Sequence, residues 1–81
     1  MISRERNYPA LVKEVRRQLA LSQEDLAREL GVSYTTINRW ENGQSHPSRM
    51  AKVLLKSFCE KMIKRGRLAL PNGLNDPANA Q

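Results

Sequence analysis

A chain of 81 residues and 9.3 kDa has room for one small domain with short extensions, and its 40% hydrophobic content excludes wholesale disorder. No apolar run exceeds Val53-Leu54-Leu55, and no apolar leader follows Met1, so a membrane span is excluded and a cytoplasmic setting is expected. Fourteen Lys and Arg against eight Asp and Glu give a net charge of +6, which favours a polyanionic partner.

The charge is unevenly placed. Residues 1–22 carry five basic and two acidic groups, residues 23–43 two and four, and residues 44–68 seven and one. Two positive blocks thus flank a slightly acidic centre, so contact with a polyanion at that centre must use specific polar side chains. One cysteine, Cys59, and one histidine, His46, exclude an internal disulfide and a multi-residue zinc site. No metal and no cofactor is expected.

Taken in chain order, residues 1–7 are polar and read as an arm. Over about 8–20, Leu11, Val12, Val15 and Leu19 fall on one stripe, with Pro9 tolerated in the first turn, which predicts a first helix. Ser22 and Asp25 have the spacing of a capping box, and Leu21 and Leu26 that of a hydrophobic staple. A second helix follows through Leu26, Ala27 and Leu30 and stops at Gly31, which adopts the left-handed conformation cheaply. Ser33 is the next N-cap, with Val32 and Ile37 as its staple. The third helix carries Ile37 and Trp40 inward and ends by Gly43. Two short helices joined only by Gly31-Val32-Ser33 must cross steeply, as a helix-turn-helix does.

Pro47 disfavours helix at His46, and Ser48 caps a fourth helix running to about residue 65 and closed by Gly66. Met50, Leu54, Phe58 and Met62 are expected on its core face, widened by Ala51, Leu55 and Cys59, with Arg49, Lys52 and Lys56 opposite. Residues 67–81 read as turn and tail; whether Leu68 and Leu70 fold back on the core is left open by the sequence. The fold class is therefore all-α, with a domain over 8–66.

Function concentrates in the third helix. At about 100° per residue, Tyr34, Thr35, Asn38, Arg39 and Asn42 share one face and Ile37 and Trp40 the other. That outer face offers an aromatic, a hydroxyl, two amides and a guanidinium, groups that reach base edges and phosphates in a major groove. Glu41 must then point elsewhere. Catalysis finds no support: His46 and Asp76 lie in loop and tail, with no nucleophile elbow or phosphate-cradling glycine loop.

The stretch from Leu21-Ser22-Gln23 through Leu26-Ala27, Gly31-Val32-Ser33 and Ile37 to Trp40-Glu41-Asn42-Gly43, followed by Pro47, resembles the Cro/CI (lambda-repressor-like, xenobiotic-response-element) helix-turn-helix family of bacterial and phage regulators. The resemblance covers about residues 11–55. It implies sequence-specific binding of double-stranded DNA for transcription regulation. Tyr34, Thr35, Asn38 and Arg39 would read bases. Gln23 would bond a phosphate and brace the third helix, and Asn42 with the backbone from Gly43 to Ser45 would hold the phosphate strand. Arg16 and Glu41 would form a structural pair. Family members usually have five helices, whereas residues 49–65 show no break, so one long fourth helix is expected, with a fifth only as a possibility.

A homodimer on two-fold related half-sites is expected, with Leu55, Cys59 and Ile63 offering a dimer face. The alternative is a protein-interaction module, antitoxin-like or accessory, in which the long helix holds a partner over Leu55 and Ile63. A weaker alternative makes that basic helix a membrane-surface anchor.

Overall fold

The computed structural model describes residues 7–70; the remainder of the arm, 1–6, and the tail, 71–81, lie outside the described residues. Among the described residues there are four α-helices and no strand: α1 (Tyr8–Leu19), α2 (Gln23–Leu30), α3 (Tyr34–Glu41) and α4 (Arg49–Lys64). The architecture is all-α, as the periodicity requires. α4 runs without a break, and no fifth helix follows it among the described residues.

Each helix starts where a side chain can satisfy a free amide. The Asn7 side chain accepts from the Ala10 amide at 3.3 Å, so Asn7, placed with the arm by the sequence, caps α1. Ser22 and Asp25 exchange both bonds of a capping box, at 2.9 and 3.0 Å. Ser33 and Ser48 accept from the Thr36 and Ala51 amides, each at 3.1 Å. α2 stops at Gly31, whose φ of 75° is the left-handed turn that lets α3 begin three residues later.

α1 and α2 both pack on α3, and α4 packs on α2. Val12, Val15, Leu26 and Ile37 lose all exposure at this junction, and Trp40 and Leu55 nearly all of it. At roughly 1.5–3 kcal/mol for each large apolar side chain, this layer is the main stabilising term for α3, which has only eight residues and would not be helical alone.

α4 departs from expectation. Its buried stripe is Ala51, Leu55, Phe58, Cys59 and Met62, whereas Met50 is 70% and Leu54 41% exposed, with Val53 beside them at 63%. The apolar arc is wider than the surface the other helices cover. Met50 and Leu54 lie roughly a quarter-turn off the buried stripe, and only the stripe centred on Leu55 reaches the core. Leu55 and Cys59 are thus enclosed by their own chain and cannot serve as a dimer or partner face. Lys52 reaches across to the Tyr8 ring, with Nζ 5.9 Å from its centroid.

The packed chain also continues beyond Gly66. Leu68 is buried and Leu70 is packed against the core. Between them, the Ala69 amide donates to Gln18 Oε1 at 2.9 Å, while Gln18 Nε2 donates to the Ala69 carbonyl at 2.8 Å. The Gln18 amide pairs with this segment as a neighbouring peptide would, and the fold-back that the sequence left open is present.

α1 ends on Ala20 at φ 55°, the one non-glycine left-handed residue among those described. The Leu21 amide behind it closes onto the Arg16 carbonyl at 2.9 Å. A Cβ in this conformation costs about 1–2 kcal/mol, and glycine returns part of that relief through its freer unfolded chain. Ala20→Gly is therefore expected to stabilise the domain by about 0.5 kcal/mol, raising the melting temperature by roughly 2–4 °C; thermal denaturation followed by circular dichroism checks it.

Candidate nucleic-acid interface

α3 is held from behind. Ile37 and Trp40 are buried, fixing its rotation, so Tyr34, Thr35 and Arg39 on the opposite side are exposed and Asn38 is half-buried. The Asn42 side chain, at the helix C-cap, is exposed too. Arg39 makes no ion pair among the described residues. The sole acid of α3, Glu41, is 5% exposed and points inward, which leaves the outer face without a carboxylate.

Glu41 meets the Arg16 guanidinium through two bonds: Nε to Oε2 at 2.6 Å and Nη2 to Oε1 at 2.9 Å. A third guanidinium nitrogen, Nη1, donates to the Leu21 carbonyl at 3.1 Å. The fork therefore joins α1, the α1–α2 turn and the end of α3. Burial works to raise the Glu41 carboxyl, but the bonds from Arg16 and Gln23 and the charges of Arg16 and Lys13 outweigh it, and its pKa lies below the ordinary glutamate value. The bond to Glu41 correspondingly raises Arg16, against a smaller effect of burial.

The network does not stop at the pair. Gln23 Nε2 donates to Glu41 Oε1 at 2.9 Å, Asn38 Nδ2 donates to Gln23 Oε1 at 3.3 Å, and Asn42 Nδ2 donates to Asn38 Oδ1 at 3.1 Å. A continuous chain of polar contacts thus runs from the buried carboxylate, across the first residue of α2, onto the outer face of α3. Each amide keeps one N–H and acceptor capacity for an outside partner.

A helix-turn-helix family model of the Cro/CI type matches residues 12–54, just over half of the chain, covering α2 and α3 entire with most of α1 and the start of α4. The chain belongs to the Cro/CI-type helix-turn-helix family. No curated protein and no solved structure matches it significantly. The family is one of DNA-binding transcription regulators. No helix among the described residues is long and apolar enough to cross a membrane.

The structure brings Gln23, Asn38 and Asn42 into direct contact and leaves Tyr34, Thr35 and Arg39 open on the same helix. Gly43 and Ser45 lie in the turn beyond. The Gly43 amide donates to the Trp40 carbonyl at 3.2 Å and the Gln44 amide to the Arg39 carbonyl at 2.9 Å. These amides close the end of α3 within the chain. Gly43, at φ 73°, shapes the turn. Gln23, expected from the resemblance to brace the third helix, bonds Glu41 and Asn38; which residues it meets was not visible in the sequence, because α2 and α3 are separate elements and helical spacing relates residues only within one. Spacing within α3 does place Asn42 one turn beyond Asn38.

Removing one partner of the Arg16–Glu41 pair strands the other charge in a partly desolvated place. Glu41→Ala is expected to cost about 2–3 kcal/mol in urea unfolding, and the joint change Arg16→Met with Glu41→Leu to recover most of it. Folding lowers the Glu41 pKa, so the pair's contribution is complete above the ordinary glutamate range. It is lost as pH falls through that range and then through the lower folded-state value. The acid limb of a stability-versus-pH curve should accordingly flatten in the joint variant.

Proposed function

We propose that this protein is a sequence-specific regulator of transcription that places α3 in the major groove of double-stranded DNA. The observation that carries the reading is the outer face of α3: Tyr34, Thr35, Asn38 and Arg39 turned outward, with the one acid of that helix withdrawn into the Arg16 pair. Arg39 suits bidentate contact with guanine, Asn38 with adenine, and Thr35 contact with a thymine methyl or a base edge. Gln23, with one Nε2 hydrogen left, and Asn42 and Ser45 at the far end of α3 would hold phosphates and set the register. DNA as the partner is consistent with the two basic blocks of the sequence and with a cytoplasmic place of action, and the reading requires no enzymatic step.

Selection from randomised duplexes, followed by salt titration of the enriched sequence, tests this reading. An enriched motif whose affinity falls steeply with salt supports it; binding indifferent to duplex sequence defeats it. Arg39→Ala should change the preferred base at one position, whereas Gln23→Ala should weaken all sequences by a similar factor and make the salt dependence shallower.

A single domain reads few base pairs, so the regulator is expected to act as a homodimer on half-sites roughly 34 Å apart. The face available for this is the side of α4 that the core leaves uncovered, Met50, Val53 and Leu54. Arg49 and Glu60 flank it on one side, toward opposite ends of the helix. Two copies packed antiparallel across Val53 and Leu54 would bring each Arg49 near the Glu60 of the other copy. Light scattering should show a concentration-dependent dimer that Leu54→Glu abolishes, with circular dichroism unchanged because Leu54 lies outside the core. A wild-type chain that stays monomeric even on its enriched duplex would remove the dimer from this proposal.

A further inference from the structure

The chain of polar contacts has a direction, and its direction is set at the buried end. A carboxylate only accepts hydrogen bonds. Facing Glu41, Gln23 must therefore present its Nε2, at 2.9 Å, which turns its Oε1 toward Asn38. Asn38 must then present its Nδ2, at 3.3 Å, which turns its Oδ1 toward Asn42, whose Nδ2 supplies the last bond at 3.1 Å. Three side-chain amides, each of nearly the same shape when turned end for end, are thus ordered by one ionised group that itself lies away from the outer face.

We infer that Glu41 is a positioning residue for base recognition: through Gln23 it fixes which end of the Asn38 amide is the donor, and so which orientation of an adenine–thymine pair Asn38 accepts. This rests on the proposed role of α3 in the major groove. In the major groove adenine shows N7, an acceptor, next to its N6 amino donor. An amide that meets both must set its N–H on N7 and its oxygen on the amino group. Asn38 holds its nitrogen on the Gln23 side and its oxygen on the Asn42 side, so it fits the pair in one orientation. Exchanging adenine and thymine between strands reverses the order of N7 and N6 along the groove and places donor against donor. An Asn38 free to turn over would accept both orientations. The polarity therefore makes a contact that distinguishes A·T from T·A out of a residue that could otherwise serve either.

Glu41→Gln removes the constraint. With an amide at this position, either orientation gives up one bond to Arg16, so the two directions of the network become comparable. Gln23→Met cuts the network at its second member and leaves the Arg16–Glu41 pair intact, which protects the test against a variant that fails to fold. The folded state of both is checked by circular dichroism.

The measurement is competition binding of the full-length protein to variants of its enriched duplex. The base pair facing Asn38 is first identified as the position whose preference Asn38→Ala removes. There the wild type should prefer A·T over T·A by about tenfold, the worth of one good bidentate contact. In Glu41→Gln and Gln23→Met the ratio should fall to within about threefold of unity, while preferences at the position read by Arg39 persist. A lower affinity with the ratio unchanged in both variants would show a merely structural role and overturn the inference. So would an Asn38→Ala variant that alters no base preference. A wild type that selects no duplex at all would instead overturn the function proposed above.

Discussion

The geometry of this domain turns on one ion pair. α3 is eight residues long, too short to persist by its own hydrogen bonds, and its rotation decides which side chains face outward. Ile37 and Trp40 anchor it by burial, but apolar packing alone tolerates small rotations and slides. The Arg16–Glu41 fork, joining positions 25 residues apart, tolerates far less: a guanidinium and a carboxylate meet through two bonds in one plane, and Arg16 is tied as well to the Leu21 carbonyl. Withdrawal of the Glu41 charge from the outer face follows from the same contact. A carboxylate at that end of α3 would otherwise stand beside any polyanion approaching it.

The long α4 divides its labour along two sides. One side closes the core through Leu55, Phe58 and Met62, and a domain this small buries too limited an area to spare them. The other keeps Met50, Val53 and Leu54 in water, an arrangement that costs solubility without adding to the fold. The return of the chain at Leu68 and the paired bonds between Gln18 and Ala69 complete the enclosure around α1. The Cro/CI-type arrangement thus appears here with four helices and an irregular closing segment among the described residues.

The starts of α2, α3 and α4 were legible because a serine three residues before an amide is a local device, and the amide it satisfies lies within the same turn; the Asn7 cap of α1 was passed over as part of the arm. The Gly31 stop was legible for the same reason. The inner face of α4 was not. Its apolar residues cover more than half the helix circumference, and which part is buried depends on how α2 meets it. Leu68 posed the same difficulty, since a single leucine after a glycine has no periodicity to read. Within the site, the outward positions of Tyr34, Thr35 and Arg39 follow from spacing. The bonds by which the Gly43 and Gln44 amides close onto α3, by contrast, have no signature in spacing. The contacts from Gln23 to Asn38 belong to tertiary structure and leave no trace in composition or spacing.

Cys59 gives the domain a further property. Its side chain is buried in the middle of α4, and the loss of hydration, with a smaller push from Glu60, raises its thiol to about 11. At neutral pH almost none of it is the reactive thiolate, and what there is lies within the core, 4% exposed. Electrophiles and oxidants reach a thiol so enclosed through openings of the domain, so its rate of modification follows the open fraction when reclosing is fast and the opening rate when the reaction outpaces reclosing. The chain carries a chemical stopwatch for its own opening, set in the helix that links the core to the face proposed for self-association.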